Sequence, residues 1–263
     1  MPTLSAILIT RNEEANLEDC LASLDGLADQ IVVVDTQSTD RTLAIAQKYG
    51  ALVDTPADWP GFGPQKNRAL DLATGDWVLS LDADERLTPE LRMEIKGVLE
   101  KPQANCYAIP RLSWYCGRFM RHSGWTPDYV DRLFKRGSAR FSNDLVHERL
   151  IPHDSVMKLK NQMLHYSFMN QAQVQEKMQR YSTASAQQAF AKGKTASPLK
   201  AILHGTWSFI RTYLIRAGFL DGPQGFSLAC SNAQGTYHRY MKLWRLNQAA
   251  QAIKKHSSWS CPR

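Results

Sequence analysis

Several common signatures are missing from this chain, and each gap closes off a class of function. Its five cysteines, Cys20, Cys106, Cys116, Cys230 and Cys261, are scattered through 263 residues with no CxxC pair. An odd, unclustered set builds neither a disulfide framework nor a cysteine-rich zinc site, and it suits a reducing cytosol. No run approaches the roughly 20 apolar residues that cross a bilayer, so no transmembrane helix is expected. The start passes from Met1-Pro2-Thr3 straight into Leu4-Ser5-Ala6-Ile7-Leu8-Ile9, without a basic segment or a small-residue cleavage site. It reads as a first strand, and no secretion signal is expected. Neither common glycine-rich phosphate loop is present, which disfavours a P-loop kinase or a dinucleotide enzyme. There is no internal repeat and no low-complexity segment. Acids are scarce towards the C-terminus, where Asp221 stands alone between Pro198 and Lys255.

What is present suits a globular protein of one large or two small domains, with 43% hydrophobic residues and a net charge of +7. Residues 4–9 form a strand, and 11–27 place Leu17, Leu21, Leu24 and Leu27 at amphipathic-helix spacing. Ile31-Val32-Val33-Val34-Asp35 is wholly apolar before its acid, as expected of a parallel strand covered on both faces. Thr39-Asp40-Arg41-Thr42 caps a helix running to 49–50, residues 51–54 make a short strand, 65–73 a helix and 77–81 the next strand. This β-α-β-α-β-α-β alternation predicts a parallel sheet with right-handed crossovers. Short strands are expected at 106–110, 130–135, 139–141 and 157–164, then a polar, alanine-rich helix over 171–192.

The strand 77–81 ends in Asp82, Asp84 and Glu85. Carboxylates are rarely buried unless paired or bound to metal, and open α/β sheets hold their ligands at the carboxyl ends of strands. The cluster therefore suggests a hard divalent cation, which Asp82 and Asp84 could share if the backbone turns at Ala83. The alternative is an acidic N-cap for the helix begun by Leu87-Thr88-Pro89-Glu90. Asp35 ends its strand in the same way, and Thr10-Arg11-Asn12-Glu13 follows the first. Three strand ends thus deliver polar groups to one edge. Carboxylates in such a crevice suit ribose hydroxyls, base N–H groups or a metal that in turn holds phosphates; for Asp35 a turn or cap role is the alternative.

The series Thr10-Arg11-Asn12-Glu13, Val33-Val34-Asp35 with Ser38-Thr39-Asp40, Gln65-Lys66-Asn67-Arg68, then Asp82-Ala83-Asp84 resembles the family 2 glycosyltransferases in order, spacing and context. The resemblance implies the A-type glycosyltransferase fold: an α/β, Rossmann-like, mostly parallel sheet flanked by helices, here with a C-terminal helical extension. It implies a UDP-sugar held by Thr10, Arg11, Asn12, Glu13, Asp35, Lys66, Arg68 and Asp82, and a divalent cation, Mg2+ or Mn2+, on Asp82 and Asp84. An exposed helix face is the alternative for Lys66 and Arg68. Arg132-Leu133-Phe134-Lys135, Phe141 and Val146-His147-Glu148 resemble a bacterial branch of the family that modifies cell-surface glycans. On that likeness His147 is a third metal ligand and Glu148 the catalytic base beside Asp84, with Asp128 and Asp131 competing for the base role. A structural hydrogen bond for His147 and a surface salt bridge for Glu148 are the alternatives.

The C-terminal run Gly218-Phe219-Leu220-Asp221-Gly222-Pro223-Gln224-Gly225-Phe226, with Tyr240-Met241-Lys242-Leu243-Trp244, is similar to the tail of lipopolysaccharide core β-1,4-glucosyltransferases. Independently, leucines and aromatics beside Lys and Arg, almost without acids, suit an interfacial helix facing anionic lipid; a core helix pair with solvated basic residues is the alternative. Trp59, Trp114, Tyr115 and Trp125 could stack on sugar rings or simply pack. The expected division is a catalytic domain over 1–165, with donor binding in 1–100 and the acceptor side in 101–165, and a basic, aromatic extension over 166–263. The expected activity is inverting transfer of a hexose, glucose from UDP-glucose, to an inner-core heptose on a lipid-linked saccharide. The expected place is cytoplasmic, peripheral at the inner face of the bacterial inner membrane, without nucleic acid. Competing readings are a non-catalytic basic protein for nucleic acid or membrane, a glycosyltransferase for another surface glycan, and a nucleotidyltransferase, which lacks its glycine-rich loop.

Overall fold

The structure, a computed structural model, describes residues 2–143 and 148–259. In chain order the elements are β1 (Leu4–Thr10), α1 (Leu17–Ala22), β2 (Gln30–Asp35), α2 (Thr42–Lys48), β3 (Leu52–Asp54), α3 (Phe62–Asp71), β4 (Trp77–Leu81), β5 (Glu85–Leu87), α4 (Pro89–Glu100) and β6 (Cys106–Tyr115). There follow β7 (Arg118–Phe119), β8 (Asp128–Lys135), β9 (Ala139–Phe141), β10 (Leu150–Pro152), β11 (Val156–Lys158), β12 (Met163–Phe168), α5 (Gln171–Ala191), α6 (Pro198–Ile210) and α7 (Gly222–Trp259). Two compact units result: Met1–Ser113 with Pro127–Ser167, and Trp114–Thr126 with the chain from Phe168 onward.

In the first unit β3, β2, β1 and β4 lie side by side and parallel, with Thr10 opposite Asp35 and Leu8 opposite Leu81. The apolar strands read as buried because alternate residues feed two different layers. Leu4, Ala6, Leu8, Val33, Leu79 and Leu81 enter one hydrophobic cluster, and Ile7, Val32, Val34 and Val78 enter the other. Beyond β4 the direction reverses: β8 pairs antiparallel with β4, β6 with β8, and β5 closes the far edge against β12. Asp35, Asp82, Asp128 and Asp131 lie on or at the ends of these strands, whereas Glu148 lies just before β10, which pairs with β9 in a separate two-stranded sheet.

Two expected elements are corrected. The helix expected over 11–27 shrinks to α1, six residues long. Asn12 takes a left-handed φ of 55°, and the N–H groups of Asn12, Glu13 and Glu14 donate to Ser38 Oγ, Thr42 Oγ1 and Asp40 rather than to a helix. The strand expected over 157–164 divides into β11 and β12, because Glu94 accepts the N–H groups of Lys160 and Asn161 and bends the chain between them. By contrast the Thr88-Pro89 helix start is as read, with Thr88 Oγ1 accepting from Leu91 N at 3.2 Å. Thr88, not Asp84 or Glu85, is the cap, which leaves those acids to other duties.

The second unit is built on α5, α6 and α7. Asn170 and Ser197 cap α5 and α6 by accepting from Gln173 N and Lys200 N. Arg118 and Phe119 pair with Tyr115 and Trp114, and Tyr115, Met120, Val174 and Leu228 form the buried centre. After α6 the chain widens into a π-turn at Arg211–Ile215, passes through left-handed Ala217 (φ 52°) and tightens into a 3-10 turn at Gly218–Asp221. Asp221 is wholly buried and accepts from Arg121 N, His122 N and Ser123 Oγ, each at 3.0 Å.

Candidate active site

The site begins where β4 runs out. Glu85 N donates to Asp82 O at 2.9 Å, so the chain turns across Ala83 and Asp84 before β5 starts. That turn aims the three acids in different directions. Asp82 faces a cavity of about 370 Å3 whose walls include Lys66, Arg111, Asp131, Arg132 and Glu148. Lys66 Nζ on α3 lies 3.0 Å from Asp82 Oδ1 and 3.4 Å from Glu148 Oε1, and Arg132 on β8 binds Asp82 Oδ2. Glu85, with no exposed surface, accepts from Arg132 Nη2 at 2.6 Å and from Asp82 N at 2.9 Å, with Arg111 Nη1 at 3.4 Å.

Four carboxylates, Asp82, Glu85, Asp128 and Glu148, and three cations in one partly buried network set the charge states. Burial opposes ionisation of Asp82, but Arg132 and Lys66 outweigh it and hold its carboxyl well below the usual carboxylate range. Burial likewise works against the charge on Arg132, while Asp82 and Glu85 hold the guanidinium more firmly charged than usual. Its Nε is buried and finds no hydrogen-bond partner among the described residues. Asp131, further along β8, has its pKa raised by burial, with Arg132 opposing. Asp128 is taken by Arg111, which donates from Nε and Nη2 at 2.9 and 2.7 Å.

The remaining candidates fall into two groups. Asp35 is buried and its oxygens are spent on Thr10 Oγ1 (2.7 Å), Ser38 N (2.8 Å) and Ser38 Oγ (2.6 Å), so it ties the ends of β1 and β2 together. Asn12 accepts Thr39 N, Arg11 is exposed, and Glu13, held by Asn16, has its pKa raised by burial and by the nearby charges of Asp84, Asp40 and Asp82. Arg68 turns away from the cavity wall to Asp58 and Gln65. His147 lies outside the described residues. Of the aromatics, Tyr115 is wholly buried, edge-on to Trp125, and serves the core, whereas Trp114, edge-on to Phe119, and Trp125 are half-buried and Trp59, edge-on to Phe62, is exposed.

Sequence reasoning missed His165. Its Nε2 stands 3.4 Å from Asp84 Oδ2, while Ser113 Oγ meets Nδ1 at 2.9 Å and fixes the ring. Two ligands each about 2.1 Å from one ion stand about 3 Å apart, so this oxygen–nitrogen pair fits a divalent cation. Among the described residues no three acidic, histidine or cysteine side chains converge as a closed metal cage requires. Further ligands would come from phosphate oxygens and water, the usual habit of Mg2+. Glu85 and Arg132 were missed as roles for the same reason: β5 and β8 meet only through the fold.

A parallel sheet that presents acids and buried cations at its carboxyl edge, then turns antiparallel, is the frame of an A-type glycosyltransferase. TarS 1-349 of S. aureus in complex with UDP-GlcNAc superposes with a TM-score of 0.51 over 94% of this chain and 92% of that one, at 17% identity. Residues 5–159 match Glycosyl transferase family 2, and the chain belongs to that family. It is 31% identical to the lipopolysaccharide core biosynthesis glycosyltransferase LpsC of Rhizobium meliloti, over 92% of each chain. An uncharacterized glycosyltransferase of Rickettsia bellii is 30% identical over 93% of this chain and 87% of its own length.

Proposed function

We propose that this glycosyltransferase moves one hexose, glucose from UDP-glucose, onto a heptose of the lipopolysaccharide inner core with inversion at the anomeric carbon. The observation that carries the reading is the chain Glu148–Lys66–Asp82–Arg132, which lines one cavity with acceptors for hydroxyl groups and donors for phosphate, with buried Glu85 holding Arg132 from behind. The acceptor class rests on the likeness to a lipopolysaccharide core enzyme. Asp82, fixed by its two cations, receives the donor ribose, with the turn Thr10 to Glu13 and Asp35 shaping the base end. Lys66 and Arg132, which both line the cavity, face the diphosphate. Asp84 and His165 would hold the divalent cation, which when bound supplies positive charge against the departing diphosphate. Glu148 takes the proton of the acceptor hydroxyl as it attacks from the opposite face. Asp128 is committed to Arg111 by two hydrogen bonds and burial raises the pKa of Asp131, whereas Glu148 keeps, among the described residues, a single longer contact, 3.4 Å to Lys66.

The test is transfer from a panel of UDP-sugars to heptose-containing core lipid, with and without Mg2+ or Mn2+, read by mass spectrometry. The expected product is heavier by one hexose, and Asp84→Ala and Glu148→Gln each lower the rate by about 10²-fold or more at unchanged Tm. No increment with any UDP-sugar overturns the function, and near-wild-type turnover in folded Glu148→Gln removes the base assignment.

A further inference from the structure

We propose that α6 and the turn following it lie in the surface of an anionic bilayer, apolar face inward to the lipid. A helix of a water-soluble fold buries its large apolar stripe and leaves small and polar residues outside. Helix α6 does the reverse. The residues it buries are Ala201 and Gly205, with Thr212 just beyond its end. At Gly205 the approach is so close that a Cβ would stand 3.2 Å from the Ala233 carbonyl and 3.4 Å from Tyr237 Cβ on α7. The outward residues are Leu199, Ile202, Leu203 and Trp207, exposed by 54% to 65%, and their spacing keeps them on one face. Leu214, Ile215, Phe219 and Leu220 continue the apolar surface at 49% to 63% exposure.

Single exposed leucines need no explanation, but eight large apolar residues in one short stretch do. Among the described residues no helix is long and apolar enough to cross a membrane, so the segment would rest at the interface. Charge selects the partner. Lys200, Arg211 and Arg216 are exposed around the patch, and the one acid of the tract, Asp221, is buried on Arg121, His122 and Ser123. A second copy would set cations against cations with no acid to answer them, whereas anionic headgroups neutralise them. The proposal deepens the glycosyltransferase reading by giving it the surface on which a lipid-linked acceptor is met, but its physical basis stands apart from the chemistry.

The experiment floats the full chain with vesicles of phosphatidylcholine alone or mixed with phosphatidylglycerol, and measures the rise in Tm caused by UDP in parallel. Flotation is expected with the anionic vesicles only, and salt weakens it. Leu203→Glu with Trp207→Glu lowers the bound fraction about tenfold, and so at low salt does Lys200→Glu with Arg211→Glu, while Tm and the UDP response stay as in wild type. Wild-type protein that stays unbound with anionic vesicles, or that floats equally well after the Leu203 and Trp207 changes, overturns the proposal. So does a dimer in lipid-free buffer that those changes dissolve, since the face then belongs to a second copy. Lost membrane binding with an intact UDP response sinks this proposal alone; an absent UDP response sinks the donor reading alone.

Discussion

Arg132 binds two carboxylates, one of them wholly buried, through a single Nη2. Removing one partner of a buried pair strands the others, so Arg132→Met is expected to cost about 3–5 kcal/mol of unfolding free energy, read from urea denaturation. Asp131, its neighbour, gives a prediction of opposite sign. Its pKa in the fold lies above the ordinary value, so the folded chain holds more protons than the unfolded one between those two values, and stability falls as pH rises through that window. Asp131→Asn is therefore expected to melt higher than wild type at pH 7 and to converge with it near pH 3, in a series of Tm measurements. The acids at the end of β4 were legible as a site because carboxylates after an apolar strand conflict with burial. Their partners were not, since the strand pattern over 130–135 does not show what Arg132 faces, and His165 lies just past the strand expected over 157–164.

Among the elements, the parallel half of the sheet was legible throughout, because continuous apolar strands separated by helices admit few arrangements. Where side-chain hydrogen bonds captured the backbone, periodicity misled. Leu24 and Leu27 keep helical spacing yet lie in turns after α1, and Glu94 splits β11 from β12. Helix α3 gives the site Lys66 and also positions it by close approach. A Cβ on Gly63 would overlap the Ser142 carbonyl and come within 3.5 Å of Glu148 Cβ. Gly63→Ala is accordingly expected to push the Glu148 segment outward and to lower kcat about tenfold with a smaller change in donor KM, since a displaced base loses alignment before binding. A steady-state comparison of the two constants checks it.

For the whole molecule, composition had already separated a first half rich in strand-end acids from a basic, aromatic tail. The excursion of Trp114–Thr126 into the second unit had no such signal. It is fastened by Asp221, an acid whose isolation in the sequence was visible but whose backbone partners lie about a hundred residues upstream. Long-range pairing of that kind leaves no local trace.

Lys66 is one ammonium with two claimants, Asp82 at 3.0 Å and Glu148 at 3.4 Å. A diphosphate arriving beside it becomes a third, and the more distant carboxylate is the one released. Substrates would then enter in compulsory sequence, the nucleotide-sugar first and the saccharide second, because only the loaded enzyme has an unshackled proton acceptor. Product inhibition reports this directly: UDP competes with the donor but not with the acceptor in the wild type, and Lys66→Met relaxes the sequence to random entry.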